Sequence, residues 1–254
     1  MFAIERHQAI LKLIDEKGNV TISELVKLFG VSSETIRKDL LSLEKNKALL
    51  RTHGGAVSIT KNNTPASLKV RKSQCQPEKT ELCHYAMRFI ENGDIVAIGE
   101  GSTAVELAKL IECTISRLTV ITNSLEIFNI LSSNSGIELV LCGGDYIRDE
   151  LAFAGNITIN TINQLHTQKA FIFPSAVSLK FGITDYFKNF YALQKAYMEN
   201  TDKVFILADS EKFEKAAYLK LESINPEYTY ITDSGLSDEI YKLYQENNIN
   251  IIKG

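Results

Sequence analysis

The chain has 254 residues, of which 44% are hydrophobic and 23% are charged, with a formal net charge of −3. This balance is typical of a globular protein and excludes a low-complexity chain. No stretch reaches the roughly 20 apolar residues of a membrane span, and the N-terminal MFAIERHQAILKL has no long apolar run like that of a secretory signal. We therefore expect a cytoplasmic protein with one large domain or two smaller ones.

The cysteines indicate no metal or redox chemistry. Their spacing matches neither a CxxC pair nor a zinc site, and they are Cys75, Cys83, Cys113 and Cys142. Free thiols in a reducing compartment are the simplest interpretation. The sequence predicts no cofactor.

Charge is distributed unevenly along the chain. From Met1 to Lys72 there are 13 basic and 7 acidic residues, a net charge of +6. From Ser73 to Gly254 there are 15 basic and 24 acidic residues, a net charge of −9. A basic front joined to an acidic rear indicates that the front meets a polyanion, although a lopsided solvated surface is the alternative.

Two helices are predicted first. Residues 5–17 carry apolar side chains at helical spacing, and these are Ala9, Ile10, Leu13 and Ile14. Gly18-Asn19 ends this helix. Thr21 and Glu24 fit a capping box that opens a second helix ending at Gly30. Its predicted inward residues are Leu25, Val26 and Leu28.

A third helix and a hairpin follow. Ser32 is the predicted N-cap of a helix whose buried stripe is Ile36, Leu40 and Leu43. The opposite side of this helix carries Glu34, Arg37, Lys38 and Leu41. The runs LLRTH and AVSI then predict two strands joined at Gly54-Gly55, because a glycine pair supplies the positive φ of a two-residue turn.

Three small helices followed by a hairpin predict a winged helix-turn-helix, in which the third helix enters the major groove of DNA. The candidate DNA contacts on the third helix are Ser33, Thr35, Arg37 and Lys38. On the wing they are Arg51 and His53. The alternative is a small helical module with a solvated basic face.

The rear of the chain predicts an α/β domain with a mainly parallel, Rossmann-like sheet covered on both faces. Residues 58–77 are polar and predict a linker, with a short helix around Ser67–Ser73. The predicted strands are 94–99, 118–122, 137–142, 169–173, 203–208 and 228–232. The predicted helices lie near 79–91, 103–112, 124–132, 156–165, 186–200 and 237–247.

Candidate ligand contacts follow the strands, because open α/β sheets bind ligands beyond the carboxyl ends of their strands. Gly101, Ser102 and Thr103 follow the first strand and offer N–H and hydroxyl donors to a phosphate. Asn123 follows the second strand as a sugar contact or a helix cap. Gly143 follows the third strand, where it alternatively makes only a turn.

Two further candidate ligand contacts have structural alternatives of their own. Asp209 and Lys212 follow the fifth strand, and they either bind hydroxyl and phosphate or pair with each other. Asp185 ends a predicted glycine turn that begins at Gly182.

The string VSSETIRKDLLSLEKNKALLRTHGGAV resembles the helix-turn-helix signature of the DeoR family of bacterial transcription regulators, chiefly in TIRKDL and RTHGGA. The resemblance continues more loosely through KTELCHYAMRFIENGD and FILADSEKF. It implies a DNA-binding front domain and a rear sensor domain that resembles sugar-phosphate isomerases and binds phosphorylated sugars. Lys195 matches a lysine of the family's sensor pattern and is a second candidate phosphate partner.

Two segments depart from the family pattern. The family often has an acidic residue at the start of an Asp-x-Gly-Thr-Thr pattern, where this chain has Gly99. After the fourth strand the chain reads PSAVS, without the carboxylates that isomerases of this fold use there. This absence favours binding over catalysis.

Three hypotheses follow. The leading one is a repressor of a carbohydrate-use operon, controlled by a phosphorylated sugar and acting as a homodimer or homotetramer on double-stranded operator DNA. The alternatives are a sugar-phosphate enzyme and a constitutive DNA-binding protein whose rear domain only oligomerises. The expected domains are 1–57 for DNA binding, 58–77 as the linker and 78–254 for the effector and oligomerisation.

Overall fold

The computed structural model describes residues 3–17, 19–46, 48–52, 54–58 and 66–254. The chain forms two compact units, Met1–Ala66 and Ser67–Gly254. Residues 67–77, which the sequence assigns to the linker, thus group with the second unit. The domain limits themselves stay a prediction. In the described ranges no helix is long and apolar enough to cross a membrane.

The first unit contains three helices and a small sheet. The helices are α1 (Ala3–Lys17), α2 (Ile22–Phe29) and α3 (Ser33–Lys45). The strands are β1 (Asn19–Thr21), β2 (Leu49–Thr52) and β3 (Gly55–Ser58), in the antiparallel order β1-β3-β2. The predicted helices and hairpin are confirmed, and β1 adds a third strand that attaches the hairpin to the helices.

Local signals in the first unit are mostly confirmed. Thr21 and Glu24 form the capping box, Ser32 accepts a hydrogen bond from the Thr35 N–H, and Gly30 ends α2 with φ of 64°. The prediction that Leu28 faces inward is wrong, because this residue is 60% exposed. The core instead comprises Ile10, Ile14, Val20, Leu25, Ile36, Leu40, Leu43, Leu49 and Ala56.

The glycine pair of the wing has a different role from the predicted one. Gly55 lies in β3 and pairs with Thr52, and neither Gly54 nor Gly55 has a φ in the left-handed region. A Cβ on Gly55 would lie 1.9 Å from the Val20 carbonyl oxygen. Gly55 is therefore required by the close approach of β1, and not by turn geometry.

The second unit is built on a seven-stranded parallel sheet. Its strands are β4 (Ile95–Ile98), β5 (Leu118–Thr122), β6 (Ile137–Leu141), β9 (Thr167–Ile172), β12 (Thr201–Leu207), β14 (Thr229–Thr232) and β15 (Asn250–Lys253). The spatial order is β15-β14-β12-β9-β4-β5-β6. Six of these strands are predicted by the sequence, whereas the short edge strand β15 is not.

Helices cover both faces of this sheet, as predicted. They are α5 (Gln76–Ala86), α6 (Ser102–Thr114), α7 (Leu125–Leu131), α8 (Asn156–Ile162), α9 (Tyr191–Glu199) and α10 (Asp238–Glu246). Alternate strand residues face opposite cores. Val96 packs in the cluster that contains Leu82 and Leu107, and Ala97 in the cluster that contains Leu193 and Tyr244.

Shorter elements surround the carboxyl ends of the parallel strands. A helical turn, α4 (Leu68–Arg71), precedes α5. The strands β7 (Asp145–Ile147) and β8 (Ala152–Ala154) pair with each other, and β10 (Ala176–Ser178), β11 (Gly182–Asp185) and β13 (Leu219–Glu222) form another antiparallel sheet. The predicted glycine turn at 182–185 is therefore wrong, because these residues form β11.

The strand order reverses between β4 and β9. Strands that follow β4 in the chain extend the sheet to one side as β5 and β6, and later strands extend it to the other side from β9. Crossover connections on opposite faces leave a crevice at such a reversal, beyond the carboxyl ends of the two strands. The strand order therefore predicts a crevice between the turn that starts at Gly99 and the segment that starts at Phe173.

Candidate nucleic-acid interface and ligand site

The predicted DNA contacts on α3 are displayed on its outer surface. Ser33, Arg37 and Lys38 are exposed, and within the described ranges neither basic side chain has an ion-pair partner. Thr35 is half-buried, and its hydroxyl lies 2.9 Å from the Ser32 hydroxyl at the helix start. Arg37 and Lys38 are thus free to meet phosphates and bases, whereas Thr35 contributes to the cap.

The wing is attached to α3 through Glu44, which the sequence did not single out. The Arg51 backbone N–H donates to Glu44 Oε1 at 2.9 Å, and the Arg51 guanidinium lies 3.7 Å from Glu44 Oε2. A polar cleft of about 540 Å³ separates α3 from the wing, with Arg37, Glu44 and Arg51 among its lining residues. His53, the other predicted wing contact, lies outside the described residues.

A buried ion pair holds α3 against α1. Arg6 on α1 donates to Asp39 through Nε at 2.5 Å and through a second nitrogen at 3.0 Å, and His7 Nε2 lies 3.0 Å from Asp39 Oδ1. Burial alone would raise the pKa of Asp39, but the hydrogen bonds from Arg6 and His7 outweigh it and lower the pKa. Sequence reasoning missed this cluster because its partners lie 33 and 32 positions apart.

The candidate ligand crevice begins where β4 turns into α6. Gly101 takes a φ of 136° and caps α6 without a side chain, so that no side chain covers the first N–H groups of this helix. Thr103 is 1% exposed, and its buried Oγ1 has no hydrogen-bond partner among the described residues. Uncapped N–H groups at the positive end of a helix are suited to receive an anion.

Glu100 is a buried carboxyl group in this same turn. It accepts a hydrogen bond from Asn123 Nδ2 at 2.9 Å. Burial, together with smaller contributions from the nearby carboxylates of Asp185 and Glu150, raises the pKa of Glu100 to about 7. The turn therefore carries a carboxyl group that exchanges its proton near neutral pH.

Asn123 holds Glu100 in place and does not cap a helix. Its amide nitrogen also donates to the Phe153 carbonyl at 2.9 Å, and its oxygen accepts from the Tyr197 hydroxyl at 3.4 Å. Ser124 caps α7 instead, so the predicted alternative of Asn123 as a helix cap is wrong.

Asp185 is also buried, at the end of β11, and is satisfied within the protein. It accepts from the Ser175 hydroxyl at 2.7 Å and from Gln194 Nε2 at 2.8 Å, as well as from two backbone N–H groups. Ser175 lies in the PSAVS segment after β9. Asp185 thus connects the segment after β9 to α9, and its charge is close enough to act on Glu100.

Cations lie beyond the ends of β9 and β12. Lys212 Nζ lies 3.7 Å from Asp209 and donates to the Pro174 carbonyl at 3.1 Å, so that the internal ion pair considered from the sequence is present. Lys79 on α5 was missed. Burial, together with the positive charge of Lys212, lowers the pKa of Lys79 to about 8.

Two predicted ligand residues are not linked to this group. Gly143 lies two residues after the end of β6, and its carbonyl accepts a hydrogen bond from the Thr158 hydroxyl at 2.9 Å, as expected for a turn. Lys195 is half-buried on α9, between residues that face the core, and no hydrogen bond or ion pair in the described part of the chain engages it. The structure therefore brings together the turn at 101–103, Asn123 and Asp185, with Asp209 and Lys212 on the β12 side.

A winged helix-turn-helix joined to an α/β domain of this topology defines a two-domain DNA-binding transcriptional regulator. Residues 6–62 match the family model of the DeoR-like helix-turn-helix domain, and residues 74–234 match that of the DeoR C terminal sensor domain. The chain belongs to the DeoR family of transcriptional regulators.

Relatives extend over almost the whole chain. The HTH-type transcriptional regulator IolR of Bacillus subtilis is 31% identical over 97% of this chain and 97% of its own. The lactose phosphotransferase system repressor of Lactococcus lactis is 31% identical over 92% of each chain. Among solved structures, ribose 5-phosphate isomerase A of Methanocaldococcus jannaschii matches 56% of each chain at 16% identity, with a TM-score of 0.43.

Proposed function

We propose that this regulator is a cytoplasmic repressor of a carbohydrate-use operon, released from its operator by a phosphorylated sugar bound at the β4–β9 crevice. Relatives that cover nearly the whole chain include one named as a lactose phosphotransferase system repressor. Residues 74–234 of this chain match the DeoR C terminal sensor domain. The observation that carries the ligand class is the buried, unpartnered Thr103 hydroxyl at the uncapped start of α6.

The chemistry of the crevice suits a phosphate joined to a hydroxylated body. Backbone N–H groups and hydroxyls at Gly101, Ser102 and Thr103 supply donors for a phosphate. Lys212, across the crevice, supplies positive charge in a unit whose net charge is otherwise negative. The polar groups of Glu100 and Asn123 lie beside the same turn and suit the hydroxyls of a sugar.

The test begins with DNA duplexes selected by the full-length protein from a random library. Sugar phosphates, the corresponding free sugars and inorganic phosphate are then compared by thermal shift and by titration into the protein–duplex complex. We expect one sugar phosphate to weaken duplex binding, and its free sugar to have far less effect. If no sugar phosphate changes the affinity for the duplex, the proposed control is wrong.

Thr103→Val provides a matched variant for this experiment. The substitution keeps the shape of the side chain and removes a hydroxyl for which the described part of the chain supplies no hydrogen-bond partner. We therefore expect unchanged stability and duplex binding, with at least tenfold weaker binding of the sugar phosphate, equivalent to about 1.4 kcal/mol. Equal ligand affinity in this variant would move the phosphate site away from α6.

The oligomer and the domain limits complete the proposal. A single helix-turn-helix contacts few base pairs, so a dimer or tetramer should select duplexes with two half-sites about one helical turn apart. Sedimentation of the complex measures the stoichiometry.

With domains at 1–57 and 78–254, limited proteolysis should first cut between residues 58 and 66, because Leu68 is buried.

A further inference from the structure

The α4 segment, residues 67–74, follows directly on the residues that lead from the first unit, and it is bound firmly to the second. Leu68 is 1% exposed. The Arg71 guanidinium pairs with the buried carboxylate of Glu150 and lies 4.7 Å from the centre of the Phe187 ring. Lys72 forms another ion pair, with Glu126 at the start of α7.

Lys79 binds the same segment through its backbone. Its ammonium group donates to the Arg71 carbonyl at 2.7 Å and to the Gln74 carbonyl at 2.5 Å. Lys79 is 4% exposed and is close enough to Lys212 for their charges to interact. Lys212 in turn donates to the Pro174 carbonyl, in the segment that follows β9. The α4 segment is thereby connected to the β9 side of the crevice.

Glu150 connects the segment to the β4 side. It ends a short helical turn just before β8, and the backbone there is bonded to the segment after β5, through Leu125 N to Leu151 O and Phe153 N to Asn123 O. Asn123 also donates to Glu100 in the crevice. A ligand that displaces Glu100 or Lys212 therefore acts on groups that hold α4.

We propose that the Arg71–Glu150 pair couples the ligand crevice to the DNA-binding unit: α4 docked by this pair is the operator-binding arrangement, and its release is the signal that the effector produces. The direction of the effect rests on the proposed function, whereas the coupling itself does not. A buried charge pair is suited to such a role because breaking it leaves the buried Glu150 carboxylate uncompensated, which separates a docked segment sharply from a released one.

The experiment uses full-length protein and the selected duplex, without any sugar phosphate. Arg71→Met and Glu150→Gln should each release α4 and lower the affinity for the duplex by about 5-fold or more, the usual lower range of coupling between sites. The exchanged pair Arg71→Glu/Glu150→Arg should restore most of the affinity. Arg88→Met is the matched control, because Arg88 stacks on Tyr85 at 4.6 Å and lies outside the α4 segment.

Hydrogen exchange gives an independent measurement of docking. The Arg71 and Lys72 amides donate to the Ser67 and Leu68 carbonyls, and we expect them to exchange faster in both single variants and slowly again in the exchanged pair. Wild-type or tighter duplex binding by both single variants would overturn the proposal, and so would a loss of binding that the exchanged pair does not repair. Because no ligand is added, failure of the sugar-phosphate assignment leaves these outcomes unaffected.

Discussion

Arg6 on α1 and Asp39 on α3 form a buried ion pair with two hydrogen bonds that joins the two helices, and its Nε–Oδ2 distance is 2.5 Å. Asp39 follows directly on Lys38, which points outward. The pair therefore determines how the exposed basic face of α3 is presented, because rotation of this helix would break both hydrogen bonds.

Asp39→Asn should destabilise the first unit by about 3 kcal/mol, because it removes the negative charge that is paired with the buried Arg6 guanidinium. The double variant Arg6→Met/Asp39→Leu should lose much less, since both charges are removed together. Denaturant unfolding of the full-length variants measures both effects. Equal losses in the single and double variants would show that packing, and not the ion pair, holds α3.

The Asp39 carboxylate should make the folded protein less stable at acid pH. The pKa of Asp39 is lower in the folded protein than in the unfolded chain, so the unfolded chain takes up a proton first as the pH falls. The contribution of Asp39 to the free energy of unfolding is therefore complete above the pKa of the unfolded chain, about 3.9, and is lost as the pH falls towards the pKa of the folded protein. In Asp39→Asn this part of the acid dependence should be absent.

The features that the sequence predicts well are local. The capping box at Thr21, the N-cap at Ser32 and the stripe through Ile36, Leu40 and Leu43 depend on neighbours within a few positions, and all are confirmed. Six of the seven parallel strands are recognisable for the same reason, as apolar runs between helical patterns.

The features that the sequence does not predict depend on distant partners. Asp39 is read from its neighbours as one more charge on a solvated helix, yet it is buried against Arg6. Lys79 gives no local signal for its contacts with the α4 segment. Three carboxyl groups lie near one another at the crevice, and they come from separate segments of the chain: Glu100, Glu150 and Asp185. The lack of acidic residues in PSAVS therefore does not mean that the site has none.

Arg37→Ala and Lys38→Ala should each weaken binding to the selected duplex, because both side chains are exposed on α3 and neither forms an ion pair with a described residue. A base-reading arginine costs about 1–3 kcal/mol at one base pair, and a phosphate-binding lysine lowers the salt slope by about one unit. Fluorescence anisotropy at several salt concentrations separates the two. Lys12→Ala, an exposed lysine on α1, is the control, and wild-type binding by both α3 variants would refute the interface.

Glu44 should matter through its hydrogen bond to the wing. Glu44→Ala removes the acceptor of the Arg51 N–H and should reduce duplex affinity by about 1 kcal/mol, whereas Glu44→Gln keeps an acceptor and should not. Glu34→Ala removes an exposed carboxylate from the same helix that contacts no described wing residue. If the Glu44→Ala and Glu34→Ala variants bind the duplex equally well, Glu44 does not position the wing.

Glu100→Gln should stabilise the second unit at high pH and not at low pH. The folded protein keeps this proton up to a pH of about 7, whereas the ordinary pKa of the group is 4.5. Stability is therefore lost as the pH rises between these values, by about 3 kcal/mol in all. Thermal unfolding at pH 5 and pH 8 should show the gain only at pH 8, and an equal gain at both would assign it to packing.

The two adjacent glycines of the wing offer the sharpest comparison. A Cβ on Gly55 would lie 1.9 Å from the Val20 carbonyl oxygen, whereas a Cβ on Gly54 would have no atom of the described residues beyond its chain neighbours within 4 Å. Gly55→Ala should therefore force β3 away from β1, destabilise the first unit by about 1–3 kcal/mol and weaken duplex binding with it. Gly54→Ala should change stability by less than about 0.5 kcal/mol, because Gly54 is exposed and its φ lies outside the left-handed region. Denaturant unfolding and anisotropy on both variants test the comparison. Equal behaviour of the two would mean that β1 does not hold the wing by close approach.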